Sequence, residues 1–212
     1  MAAFIDGPLW YFALAVFVIG VVFNIGSIVA GKAKVDHSVP RESATPHALK
    51  TLFTRFLPDQ HLTPRIRIQL VGGYMFHLGL FVLLFFAAPH VRFFEEEWLG
   101  FGWTPVPHWA FIVSAQFAFL GLLILSLHRV TNVVSRLISN RDDHISAILT
   151  FVVMLTGCLA LLEGFEALRL LHRFSVELLL IYFPFSRLMH AFTFVPSRLF
   201  TGAWFGRRGI DA

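Results

Sequence analysis

The sequence predicts an all-α integral membrane protein, a bundle of five transmembrane helices, and three observations carry that expectation. Hydrophobic side chains make up 57% of the 212 residues and charged ones only 14%. A soluble domain of this size cannot hide so much apolar surface, because its surface-to-volume ratio is too high. The apolar residues are also gathered into runs of roughly 20, the length that crosses a hydrocarbon core of about 30 Å at about 1.5 Å per residue. Finally, Lys and Arg are abundant in some connecting segments and scarce in others, as in loops on opposite sides of a membrane.

The runs span residues 8–30, 68–88, 109–130, 145–163 and 174–196, within one membrane domain covering 1–212. The first reads as a span and not a cleavable signal peptide. No Lys or Arg precedes it, it is too long for an h-region, and no small-residue cleavage site follows. The first loop carries Lys32, Lys34, Arg41, Lys50, Arg55, Arg65 and Arg67. The third carries Arg129, Arg136 and Arg141, and the tail Arg198, Arg207 and Arg208. On the other side stand Arg92, beside Glu95, Glu96 and Glu97, and then Arg169 and Arg173. This bias places the N-terminus outside and the C-terminus in the cytoplasm.

The cytoplasmic loop 31–67 is the one long connection. Thr45 and Pro46 read as an N-cap and first helical position. Leu49, Leu52, Phe53, Phe56 and Leu57 then follow at helical spacing, with Lys50 and Arg55 on the other face. The spacing predicts an amphipathic helix over 46–57, lying on lipid headgroups or docking a soluble partner. The net charge of +4 comes without a basic stripe interleaved with aromatics, so nucleic acid is not an expected partner. The single cysteine, Cys158, excludes an internal disulfide, a CxxCH haem attachment and an iron–sulfur cluster held by this chain alone.

Ten histidines are present, and position sorts them. His37, His47, His61 and His144 fall in cytoplasmic segments and read as solvated. His128 closes the third span, and His108 opens it on the outside. Four remain: His77 and His90 on the second helix, His172 and His190 on the fifth. An ionisable side chain within a span faces a cofactor or polar cavity by default. Counting from Arg67, His77 lies about 15 Å into the membrane; counting back from Arg198, His190 lies about 12 Å in. These two share a level, and His90 and His172 share a second level at the outer ends. Two facing imidazoles per level are the axial ligands of a low-spin b haem, which transfers electrons. His172 and His190 are eighteen residues apart, five turns of an unbroken helix, and so share a face. His77 and His90 are rotated by roughly 140°, with Pro89 expected to disturb the last turn.

The neighbours suit the same reading. Gly79, two residues after His77, and Gly72 and Gly73, about a turn before it, leave room for a macrocycle. Arg187, one turn before His190, and Arg173, beside His172, are positioned to pair with haem propionates. A histidine transporter or proton relay without haem is the alternative function. A structural anchor and a non-haem metal site are further options, the latter wanting more carboxylates than the nearby Glu177 supplies.

The run Phe183-Pro184-Phe185-Ser186-Arg187-Leu188-Met189-His190, with His172 upstream and Phe76-His77-Leu78-Gly79 on the second helix, resembles the gamma subunit of respiratory nitrate reductase. The likeness covers most of the chain, and its five-helix plan agrees. It implies a dihaem cytochrome b in a prokaryotic inner membrane. Such a subunit exchanges electrons with membrane quinone and passes them to cytoplasmic iron–sulfur and catalytic subunits. His77, His172 and His190 match three of the family's haem ligands. Nitrate reductase proper places the fourth where this chain has Ala87; His90, one turn on, points to the wider gamma-like group. Glu163, Glu166 and Glu177 are candidates for proton handling at the quinone.

Overall fold

A computed structural model describes residues 1–31, 37–57, 61–161 and 165–210. Lys32, Lys34 and Glu163 lie outside the described residues. Within them the chain is helical, with no strand. Four helices are long and apolar enough to cross a membrane: α1 (Ala2–Ala30), α3 (Thr63–Phe86), α5 (His108–Thr131) and α7 (Arg141–Leu159). A bent pair, Glu166–Phe185 and Arg187–Gly206, makes a fifth if counted as one span. Shorter helices are α2 (Ala44–Thr54), α4 (Ala88–Phe93) and α6 (Val133–Ile138). The bent pair contains α8 (Glu166–Tyr182) and α9 (His190–Gly206).

Local chemistry sets the ends of these helices. Pro64 and Pro89 stand in the first turns of α3 and α4, where a missing N–H costs nothing. Asn132 caps α6, its side chain accepting from the Ser135 amide at 2.9 Å. Asn140 and Asp143 exchange reciprocal side chain–backbone bonds of 2.9 and 3.1 Å at the start of α7, a capping box. At Ala87 the backbone turns extended and ends α3, so the disturbance expected near Pro89 is a full break.

The contacts divide the chain into two compact units, residues 1–59 with 159–212, and residues 60–158. In the second, α3 packs along α5. Glycines permit the approach: a Cβ at Gly79 would fall 2.5 Å from the Ser114 carbonyl oxygen, and one at Gly121 would fall 2.7 Å from that of Gly72. Leu83, Ala115, Ala118 and Met154 form the buried core, flanked by Phe76, Phe111, Phe119 and Cys158. Arg129 and Asp143 pair at 2.6 Å near the facing ends of α5 and α7.

In the first unit, α1 packs against α8, and α2 against α9. Gly202 and Gly206 let α9 sit on the backbone and side chains of His47, Ala48 and Thr51. Thr51 is consequently buried, while Phe53 and Leu57 remain 71% and 77% exposed. The helix expected over 46–57 is therefore present, shifted to Ala44–Thr54, and presents its apolar stripe outward. His47 is not the solvated side chain that its loop position suggests. It bonds Glu42 at 2.6 Å and packs on Gly206.

The fifth span is not the straight helix expected over 174–196. Its two arms diverge by 79°. Pro184 follows α8 within a single turn of tighter helix, and Ser186 is extended at φ −117° and ψ 170°. The Ser186 hydroxyl accepts from the Leu188 amide at 3.2 Å and starts the second arm. The break docks on α1. Gly20 leaves space for the Pro184 ring, and the Asn24 side-chain amide donates to the Pro184 carbonyl at 3.0 Å. A carbonyl that a helix break would strand in an apolar setting is thereby satisfied.

Candidate functional site

His77 sits in the middle of α3, half-buried, with its ring edge-on to Phe76. Its Nδ1 donates to the Gly73 carbonyl at 2.7 Å, four residues back. His90 lies in α4 and reaches back across the break, its Nδ1 2.9 Å from the Leu83 carbonyl and 3.1 Å from that of Leu84. Carbonyls in the last turn of a helix lack onward amide partners, so His90 also caps α3. His190 opens α9, and its Nδ1 donates to the Arg187 carbonyl at 2.7 Å. His172 lies half-buried on α8, its carbonyl accepting from the Ser175 hydroxyl.

These bonds settle a tautomer. A carbonyl only accepts, so Nδ1 of His77, His90 and His190 must carry the proton. Nε2 is then the nitrogen left to ligate a metal, through its lone pair when the ring is neutral. Three of the four expected ligands thus share one electronic arrangement, imposed by the backbone.

The bend corrects the argument that joined His172 to His190. Five turns on one face require a continuous helix, and the chain turns by 79° between them. Their spacing along an axis therefore cannot be read from residue number. The room beside the glycines also changes. The space that Gly79 and Gly72 leave is filled by α5, so the macrocycle room expected there is used for helix packing; Gly73 opens on space. Arg173 forms an ion pair with Asp6 at the start of α1. Arg187 is exposed, and its carbonyl holds the His190 ring.

Glu166 is exposed on α8 beside Arg169 and Arg173. Glu177 is different. It is 1% exposed, and its Oε2 has no hydrogen-bond partner among the described residues. Sequence reasoning missed Asp6, whose partner is 167 residues away. An acid at the head of an apolar run was the one available signal. Among the described residues no three His, Cys, Asp or Glu side chains gather as a metal site. A bis-imidazole haem asks for only two from the protein.

No family model matches the chain, and no solved structure does. It is similar to a protein of Nitratidesulfovibrio vulgaris strain Hildenborough, 26% identical over 221 aligned positions. The likeness covers all of this chain and 93% of that relative.

Proposed function

We propose that this chain is the membrane-anchoring dihaem cytochrome b subunit of a respiratory oxidoreductase, linking membrane quinone to a peripheral iron–sulfur partner. The observation that carries the reading is the shared state of His77, His90 and His190, each with Nδ1 committed to a backbone carbonyl. A haem-ligating histidine needs that arrangement: the second nitrogen anchored, the ring oriented, and the basicity of Nε2 raised. With His172 they supply four imidazoles, enough for two haems with both axial positions filled. The donor set fits the group. Haem iron held by nitrogen on both faces exchanges single electrons and has no open position for a small ligand.

The chain's own residues supply the rest. Gly73 fixes the His77 ring through its carbonyl and has open space at its own α-carbon. Phe76 and Phe81 flank that ring. Arg187, exposed beside His190, is the cation we assign to a propionate. The cation bias of the loops supports an outside N-terminus and a cytoplasmic α2, which is the side a soluble iron–sulfur partner would approach.

The test is spectroscopic. The purified chain, reduced with dithionite, should give a b-type difference spectrum, and its oxidised form should give the electron paramagnetic resonance of low-spin bis-imidazole iron. Absence of both removes the proposal.

A further inference from the structure

Glu177 is a buried carboxyl on α8. It is the one large side chain among the described residues that is almost wholly enclosed, at 1% exposure, and it is a carboxyl in a membrane-spanning arm. Its Oε2 has no hydrogen-bond partner among the described residues. Burying an unpaired carboxylate is costly, and an acid kept in a span despite that cost marks proton or substrate chemistry by default.

An exposed ion pair lies near the acid. Glu177 follows Arg173 by four residues on α8, one turn or about 6 Å along the axis. The Arg173 guanidinium pairs with the Asp6 carboxylate, and both side chains are substantially exposed. Among the described residues, Asp6 from α1 and Arg173 from α8 are the charged groups that act on Glu177, and they oppose each other there. An enclosed carboxyl therefore lies one helical turn from a cation whose own partner is an exposed carboxylate.

We infer that Glu177 is the proton-exchange group for the membrane quinone reaction, with Asp6 relaying between it and the aqueous phase. The inference rests on the functional reading above and names a residue for it. Oxidation of one quinol breaks two O–H bonds and releases two protons and two electrons. The Glu177 carboxylate takes one proton, forming its own O–H bond, and hands it through Asp6 to water before the second arrives. The electrons go to the oxidised iron–sulfur partner. Quinone reduction runs the same exchange backwards.

The experiment compares the purified full-length chain with Glu177→Gln, Glu177→Asp and Asp6→Asn. Glutamine keeps the shape and removes the proton exchange. Dithionite-reduced haem spectra should be identical in all four, showing that the cofactor site is intact. Reduction of the haem by menadiol should slow about 100-fold in Glu177→Gln, as loss of a positioned acid–base group does, and recover in part in Glu177→Asp. Asp6→Asn should slow the same step and alter its pH profile. Infrared difference spectra between low and neutral pH should show a protonated-carboxyl band that Glu177→Gln removes. Wild-type menadiol rates in Glu177→Gln, or an unchanged carboxyl band, overturn the inference. If the wild-type chain binds no haem, the functional reading fails, and the infrared band alone decides whether Glu177 exchanges a proton.

Discussion

Arg198 on α9 donates to the Leu52 carbonyl on α2 at 3.0 Å, through Nη1. The same guanidinium reaches the Arg55 carbonyl at 3.2 Å and lies 4.2 Å from the centre of the Phe56 ring. A single cation thus closes the C-terminus of α2, where helix carbonyls want a donor and favour positive charge. It also ties α2 to the distal arm of the bent pair. Replacing Arg198 with alanine should weaken that docking by about 2 kcal/mol, because it removes both the charged hydrogen bonds and the cation–π attraction to Phe56. Hydrogen exchange of the Ala44–Thr54 amides reads this directly. Unchanged protection would show that Gly202 and Gly206 hold the pair without it.

The α3–α5 seam should tolerate no side chain at its closest point. A methyl at position 121 meets backbone on the facing helix, at Phe76 and Gly72. Backbone cannot swing aside, so Gly121→Ala should destabilise by about 2–3 kcal/mol, the upper part of the range for overpacking. Gly73→Ala has open space and should be neutral or slightly stabilising, since alanine is the better helix former. Thermal unfolding in detergent separates the two. Equal behaviour would mean that the helices do not approach this closely.

Topology is testable with one cysteine. In a Cys158→Ala background, Ser43→Cys at the head of α2 should react only from the cytoplasmic side. Modification by an impermeant reagent added outside intact cells would show that the orientation is reversed.

Much of this fold was legible in hydropathy, because long apolar runs have few other solutions in lipid. Four spans fall where the runs lie, to within a few residues at most ends. The fifth run falls in the bent pair, whose break hydropathy cannot see because it counts side chains and not backbone geometry. Pro184 and Ser186 were the local signals, but the bend needs Gly20 and Asn24 on α1 to receive it. The same limit governed the site. The bond from His77 to Gly73 follows from four-residue spacing within one helix. The reach of His90 to Leu83 depends on the break at Ala87, and the Asp6–Arg173 pair joins residues from opposite ends of the chain. The burial of Glu177 likewise comes from packing, which a single sequence does not display.

His90 has two roles to separate, a helix cap and an axial ligand. His90→Ala should lose both. It should drop one haem and weaken the end of α3 by about 1 kcal/mol, the worth of a typical hydrogen bond. His90→Asn can still donate to the Leu83 or Leu84 carbonyl, so it should keep the stability and lose the haem. Full haem content in His90→Asn would assign His90 to the cap alone.

The most direct measurement of the central claim is haem counted against protein. Pyridine haemochrome absorbance over quantitative amino-acid analysis of the purified chain should give about two b haems per polypeptide, since four imidazoles fill two pairs of axial positions. His190→Ala should bring the ratio to about one, because a remaining single imidazole cannot fill both axial positions. A ratio of zero in the wild-type chain would contradict the account.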